Sequence, residues 1–555
     1  MEDNKYHIGL CMAGAVSAGA YTAGVMDFLI ETLDKWEKAK GKDESIPRHQ
    51  VQIDVIGGAS AGGMTSIIGA IALQKKFQPV TKKPEGAATN NPFYDSWVKL
   101  TSKNMMQQML HTSDLENATS VKSIFNSSFI DTIANQTISS FQPFEEKRKY
   151  ISHNLDVFVT LSNLTGVPYN LRFRGNGASG ENYKMASYRD IGHFSFCGEY
   201  NGNGRINING SENENMAILR QCAMATGAFP FGLQYREVHR HFKYLRDNKE
   251  WQKFAGSGDI DWEKLEAYCG NEKMYKTINA DGGMMNNEPF EIVWHLLTDK
   301  NKMDEKSVRS YKKTNGSILM IDPFPAEDML LKYENDFGMG TLASKLFGAM
   351  RGQLLFKEQE IVSAMDPENA GLFMIVPKRS AGKEKYEGAE AIACGALGGF
   401  SGFFDFNFRE HDYFLGRYNC QKFLRNVYTI QNPLENDIFK DGYKHPAAQE
   451  RYFFKDEKGI VHAPVIPETD YDRRENKVPE KYKLDWPQFN EEIRRELKPL
   501  FRKRYRAVFD KSIGGNMLNR ILLGIGYQVV IGRLITNKTI KIIEDELRTH
   551  KLMKE

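Results

Sequence analysis

The sequence predicts an α/β fold, and three observations carry that prediction. Val51-Gln52-Ile53-Asp54-Val55-Ile56 is a β-branched, apolar run, followed by a Gly-rich turn and an apolar helical run from Met64 to Leu73. The order strand, small-residue loop, helix also occurs upstream, between Tyr6 and about Ala39. Short apolar runs then recur as far as Pro377, among them Leu155–Leu161, Ser317–Asp322 and Gly371–Val376. Strands that alternate with helical segments in this way make an α/β core that extends at least to Pro377.

Each element follows from its residues. Tyr6-His7-Ile8-Gly9-Leu10-Cys11-Met12 is a short buried strand. The loop Ala13–Tyr21 is almost all small residues, and the helix after it carries Val25, Phe28, Leu29, Leu33 and Trp36 on one face. A small-residue loop at a helix start exposes backbone N–H groups, which suits a phosphate or an oxyanion. It equally suits tight packing of helix on sheet.

The second strand runs into Gly57-Gly58-Ala59-Ser60-Ala61-Gly62-Gly63. A G-x-S-x-G between strand and helix is where a nucleophile elbow sits. Gly58 and Gly62 keep side chains away from a serine held in a strained turn. The plain alternative is a turn that lets the helix approach the sheet.

Residues 78–149 form a polar insertion, with a methionine-rich helical piece from Asn104 to Leu110. Those methionines either pack the insertion or form an adaptable lid over an acyl site. Tyr169–Arg174 is a further strand, and Gly175-Asn176-Gly177-Ala178-Ser179-Gly180 after it reads as a hairpin turn, because no apolar helix follows to make a dinucleotide site. Asp336-Phe337-Gly338 is a kinase tripeptide without its partners, and His239-Arg240-His241 reads as a solvated basic turn. Met216–Ala225 is helical and leads into Thr226-Gly227-Ala228-Phe229-Pro230-Phe231-Gly232, an apolar wall or plain core.

Thr277-Ile278-Asn279-Ala280-Asp281-Gly282-Gly283 is a short strand ending at an aspartate. Gly282 and Gly283 turn the chain, and Pro289 opens a helix containing Ile292, Val293 and Leu296. Asp281 at a strand end is the natural base for Ser60. His295 and His411 are the alternative bases, which would make a Ser-His-Asp esterase. His411 adjoins Asp412 within an aromatic, glycine-rich stretch that reads as structural.

Taken together, the Gly14 loop, the Gly58–Gly62 elbow and the Asp281-Gly282-Gly283…Asn286-Asn287…Pro289 motif resemble the patatin-like phospholipases. That family usually carries a triple-glycine loop ending in a basic residue. Here Ala15 and Val16 stand at the second and third glycines and Ala18 at the basic position; the Val16-Ser17 variant of the loop is similar to that of some divergent bacterial members. The resemblance implies a three-layer α/β/α sandwich of patatin-like type over residues 5–430, with a helical C-terminal extension. It implies a Ser60–Asp281 dyad, an oxyanion hole from Gly14, Ala15 and Val16, and hydrolysis of phospholipids or lysophospholipids through an acyl-enzyme. No cofactor and no metal are expected. A non-catalytic lipid-binding or regulatory protein on the same fold is the rival reading, kept open by the altered glycine loop.

The whole chain limits the alternatives. Its 555 residues carry a formal net charge of only +3, so no global field points to nucleic acid. Six widely spaced cysteines without C-x-x-C suggest reduced thiols of a cytoplasmic protein. No run is long and apolar enough to span a bilayer, and Ile521–Ile535 reads as a buried or interfacial helix. Residues 431–485, charged and Pro-dotted, are expected to be a linker or ordered loop, followed by a helical region over 486–555. Within it, 489–509 is amphipathic: Phe489, Ile493, Leu497 and Phe501 share one face, and Arg494, Arg495, Lys498, Arg502, Lys503, Arg504 and Arg506 the other. Two readings stand for that basic face: solvated charge over a packed helix, or peripheral contact with an anionic membrane.

Overall fold

The computed structural model describes residues 4–84, 89–99, 105–139, 148–172, 182–196, 203–209, 213–255, 259–303, 310–325, 371–475, 484–512 and 532–554. Gly175–Gly180, Asp336-Phe337-Gly338, Cys197 and most of Ile521–Ile535 lie outside them. In chain order the first elements are β1 (Lys5–Met12), α1 (Gly19–Ala39), β2 (Gln50–Gly58), α2 (Ser60–Gln74) and α3 (Ser128–Ser139). Next come β3 (Ile151–Arg172), β4 (Asn182–Phe196), β5 (Ile206–Asn207), α4 (Asn213–Thr226), β6 (Arg236–His241) and α5 (Lys249–Ala255). Then follow β7 (Asp259–Ile260), α6 (Trp262–Cys269), β8 (Met274–Asp281), α7 (Phe290–Asn301), β9 (Gly316–Ile321) and β10 (Leu372–Ile375).

These strands form one sheet of order β10-β9-β1-β2-β3-β4-β5, with β8 paired to β3 and β6, and β7 to β3. Strands β10, β9, β1, β2 and β3 run parallel. Alternation along β1 shows how the faces are used. Tyr6, Ile8, Leu10 and Met12 enter one core cluster, while Cys11 enters another. The first face is covered by α1 and α2, the second by α5, α6 and α7. The sheet is therefore sandwiched between helical layers, as expected for a parallel sheet buried on both faces. A register shift where β1 meets β2 inserts Asp54 as an extra residue, so that Asp54 and Val55 both turn toward the α7 face.

The C-terminal half returns to the first face. Helix α8 (Phe406–Asn426) lies along α1. The pair comes close because Gly24 meets the Tyr413 carbonyl and Gly416 meets the Tyr21 carbonyl; a Cβ at either position would collide. Arg417 on α8 is buried and bridges Asp27 and Glu31 of α1.

The segment expected as a linker or ordered loop is more structured than its composition suggested. It carries a small antiparallel sheet of Thr429–Gln431, Val461–Pro464 and Phe454–Lys455. Three of its aromatics, Phe439, Tyr443 and Tyr452, are buried in the main core. The C-terminal region is thus part strand and part helix, ending in α9 (Glu491–Ser512) and α10 (Gly532–Thr549). His239-Arg240-His241 is likewise not a turn: it lies on β6, and Arg240 is buried against Asp190 at 2.5 Å.

Helix α9 docks through Ile493, Leu497 and Phe501, joined by Phe489 just before it, the face the periodicity marks. One of its cations is not on the other face. Arg504 is fully buried, forks onto Asp114, and donates to the carbonyls of His111, Ser123 and Ile124. Arg502, Lys503 and Arg506 are exposed.

Candidate active site

The site forms at the carboxyl ends of parallel strands, where α/β sheets place their ligands. The chain leaves β2 at Gly58 and enters α2 at Ser60, which sits at φ +50°. A left-handed serine between strand and helix is a strained turn. Gly58 and Gly62 permit it for a slightly different reason from the one expected. A Cβ on Gly58 would meet the Gly62 carbonyl and the Met12 carbonyl, and one on Gly62 would meet the Met12 and Ala13 carbonyls. The glycines thus clear the elbow from the end of β1 rather than from the serine.

The Ser60 N–H donates to Thr226 Oγ1 at 2.9 Å, at the end of α4. Its Oγ donates to Asp281 Oδ2 at 2.6 Å. Asp281 ends β8, opposite Leu161 of β3, and is held on several sides. Its N–H donates to the Ala228 carbonyl, its own carbonyl accepts from Ser162 Oγ at 2.6 Å, and its Oδ1 accepts from Gly283 N–H at 2.8 Å. A Cβ on Gly282 would run into the Thr160 carbonyl, so that turn needs glycine for close approach.

The three expected oxyanion residues separate. The Gly14 N–H already donates to the Asn287 carbonyl at 3.2 Å, which corrects the expectation for Gly14. Gly14 is instead a spacer: a Cβ there would press on Asn287 Oδ1 and reach 3.0 Å from Ser60 Cβ. The N–H groups of Ala15 and Val16 have no acceptor among the described residues. Val16 takes φ +48°, a conformation that costs a β-branched residue on the order of 1–3 kcal/mol. Ser17 behind it donates to the Gly399 carbonyl and accepts from Gly402 N–H, clamping the loop under the 393–404 segment.

Two cavities meet at Ser60, Asp281, Val16, Phe229 and Phe400. One is small, about 70 Å³, and apolar, lined by Met64, Ile68, Trp97, Met105, Phe129 and Phe403. The insertion supplies Trp97, Met105 and Phe129, so Met105 both packs the core and walls the cavity. The other holds about 500 Å³ and is lined by Ala15, Asn287, Glu288, Asp322 and Phe324 among others. His295 and His411 line neither. His295 is exposed on α7 near Glu291, and His411 is buried with its Nδ1 on Asp412 at 2.8 Å.

Asp322 was not singled out by its sequence, where it looked like the end of an apolar strand. The available signal was its place: the residue after β9, beside β1, at the same sheet end as Ser60. Among the described residues no cluster of three or more His, Cys, Asp or Glu is placed to hold a metal, and no helix is long and apolar enough to cross a membrane. Cys11, Cys222, Cys269, Cys394 and Cys420 are buried free thiols.

Comparison with known proteins agrees with this architecture. Residues 10–294 match the patatin-like phospholipase family. The chain is also 30% identical, over 579 aligned residues, to "Uncharacterized protein y4iI" of Sinorhizobium fredii, covering 95% of this chain and 79% of that one.

Proposed function

This chain belongs to the patatin-like phospholipase family, and on that premise we propose that it is a serine acyl hydrolase cleaving phospholipid or lysophospholipid esters through Ser60 and Asp281. The observation that carries the reading is the 2.6 Å hydrogen bond from Ser60 Oγ to Asp281 Oδ2 at the junction of the two cavities. Ser60 Oγ attacks the ester carbonyl carbon while its proton passes to Asp281. The carbonyl oxygen, now an oxyanion, faces the N–H groups of Ala15 and Val16. Collapse breaks the ester C–O bond, the alcohol leaves with the proton from Asp281, and the acyl group stays on Ser60. Asp281 then takes a proton from water, whose oxygen attacks the acyl-enzyme; the Ser60 Oγ–acyl bond breaks, the acid leaves, and Asp281 returns the proton to Ser60 Oγ. The carbonyl end of the acyl chain belongs at the apolar cavity and the alcohol in the polar one, because each buries the matching surface.

A fluorophosphonate probe tests the reading directly. Labelling of the full chain at Ser60, lost in Ser60→Ala and unaffected by His295→Ala, is the expected result. A folded protein that takes no label would favour a lipid-binding protein on this fold.

A further inference from the structure

The polar cavity is unusual for an enzyme whose family name points to phosphate-bearing lipids. Its walls carry three carboxyl side chains, Asp281, Glu288 and Asp322, and no lysine, arginine or histidine among the described residues. Asp322 is the informative one. The residue is only 4% exposed, yet it lines the cavity. Its Oδ1 accepts the Phe324 N–H at 2.9 Å, and its Oδ2 has no partner among the described residues. A buried carboxylate is normally matched by a cation or by several donors. Three aromatic rings, Phe229, Phe324 and Phe400, line the same space. Carboxylate and aromatic faces together are the surroundings that an organic ammonium prefers. The space that Asp322 lines holds about 500 Å³, enough for a bulky cation.

Resting on the hydrolase reading above, we infer that Asp322 is a specificity-determining residue that binds an ammonium group on the alcohol side of the ester. The occupant is an ester whose alcohol ends in a quaternary or primary ammonium. An alcohol bearing an uncompensated phosphate would meet the Asp322 carboxylate there and is disfavoured. Burial pushes the Asp322 carboxyl up to about 6, with the Phe324 N–H opposing, so the site is fully anionic only above that pH. The other titratable groups around it are the Asp281 and Glu288 carboxyls, the Cys11 thiol and the Tyr21 phenol; burial pushes the last two well above their usual ranges and keeps them neutral.

The test uses the full chain and matched soluble esters sharing one acyl group. Octanoylcholine is compared with its neutral isostere, octanoyl 3,3-dimethylbutyl ester, and with octanoyloxyethyl phosphate. The expected kcat/KM is about tenfold higher for the choline ester than for the isostere, and lowest for the phosphate. Asp322→Asn should shrink the choline-to-isostere ratio to about twofold or less, and Phe324→Leu should shrink it partway. In the parent the ratio should rise from pH 5 to pH 8, and in Asp322→Asn it should be flat. Equal rates on choline ester and isostere in the parent, or proportional loss of both in Asp322→Asn, would overturn the inference. Should the parent hydrolyse none of the esters, the hydrolase reading fails and calorimetry decides this one. Binding of hexyltrimethylammonium, weakened about tenfold by Asp322→Asn, would uphold cation recognition; no binding by the parent would end it.

Discussion

The two ends of the central sheet treat buried carboxylates in opposite ways. Toward the amino ends of β1, β2 and β3, Asp54 and Asp156 sit in a closed network. His7 Nδ1 lies 2.7 Å from Asp54, His193 Nε2 lies 3.0 Å from Asp156, Arg205 pairs with Asp156, and Lys300 reaches Asp156 at 3.3 Å and Asp54 at 3.8 Å. Burial alone would raise both carboxyls. For Asp54 the His7 hydrogen bond and the Lys300 charge outweigh it, and for Asp156 the His193 hydrogen bond, Lys300 and Arg205 do so, leaving both below the usual range. At the carboxyl end Asp322 has no such neighbours, and burial leaves it raised to about 6. Matched charge holds the fold together, whereas unmatched charge in a cavity is stabilised only when something binds. The difference separates architecture from working surface within one sheet.

The largest expected effect lies at the carboxyl end. Ser60→Ala and Asp281→Asn should each lower ester hydrolysis by at least about 10³-fold, and the double variant should be little worse, because the two groups act as one unit. Melting temperatures should stay close to the parent's. Substantial turnover by Asp281→Asn would remove the aspartate as base.

At the opposite end the loss should appear in stability instead. Lys300→Met leaves two buried carboxylates short of a cation and should cost about 3 kcal/mol in chemical denaturation, with unchanged kcat in the folded fraction. The network also sets an acid limit. Asp54 and Asp156 have folded-state values below their unfolded ones, so their contribution is present above about pH 4 and is lost as pH falls below it. An Asp156→Asn variant should therefore show a shallower fall in stability below pH 4.

A smaller version of the contrast lies within α9. Arg504→Gln breaks the Asp114 fork and three carbonyl hydrogen bonds and should cost about 2–4 kcal/mol. Changing Arg502, Lys503 and Arg506 together to Gln should cost under about 1 kcal/mol, since exposed charges add little. We propose that these three cations mediate contact with anionic membranes, at about 1 kcal/mol each. The triple variant should then bind anionic vesicles more weakly at low salt; equal binding would leave the helix a purely structural role.

At Asp322 the expected effect has the opposite sign. The folded Asp322 carboxyl at about 6 lies above the ordinary unfolded value near 3.9, so the folded state holds the extra proton between them. Stability falls as pH rises through that window and stays lower above it. Asp322→Asn should accordingly raise stability at pH 8 by about 3 kcal/mol and change it little at pH 4. A destabilised variant at pH 8 would mean that Asp322 is matched by a charge after all.

What the sequence determined by itself was local. The Ser60 elbow is set by which residues fit a tight strand-to-helix turn, and the Asp281 turn by glycines that let backbone approach backbone. Both are short-range sterics, and both were legible, as was the apolar face of α9. Tertiary structure decided everything that depends on a distant partner. Ser60 and Asp281 are 221 residues apart, and only the pairing of β3 with both β2 and β8 brings them within a hydrogen bond. Gly14 looked like an oxyanion donor until Asn287 claimed its N–H. Arg504 looked like one more cation on a basic face, and Asp114 made it part of the core. Asp322 looked like the end of a strand, and the cavity between β9, the Val16 loop and the 389–400 segment left its carboxylate without a counter-charge among the described residues. Periodicity records which face of an element is buried; whether a charge on it is matched depends on what the rest of the chain packs against it.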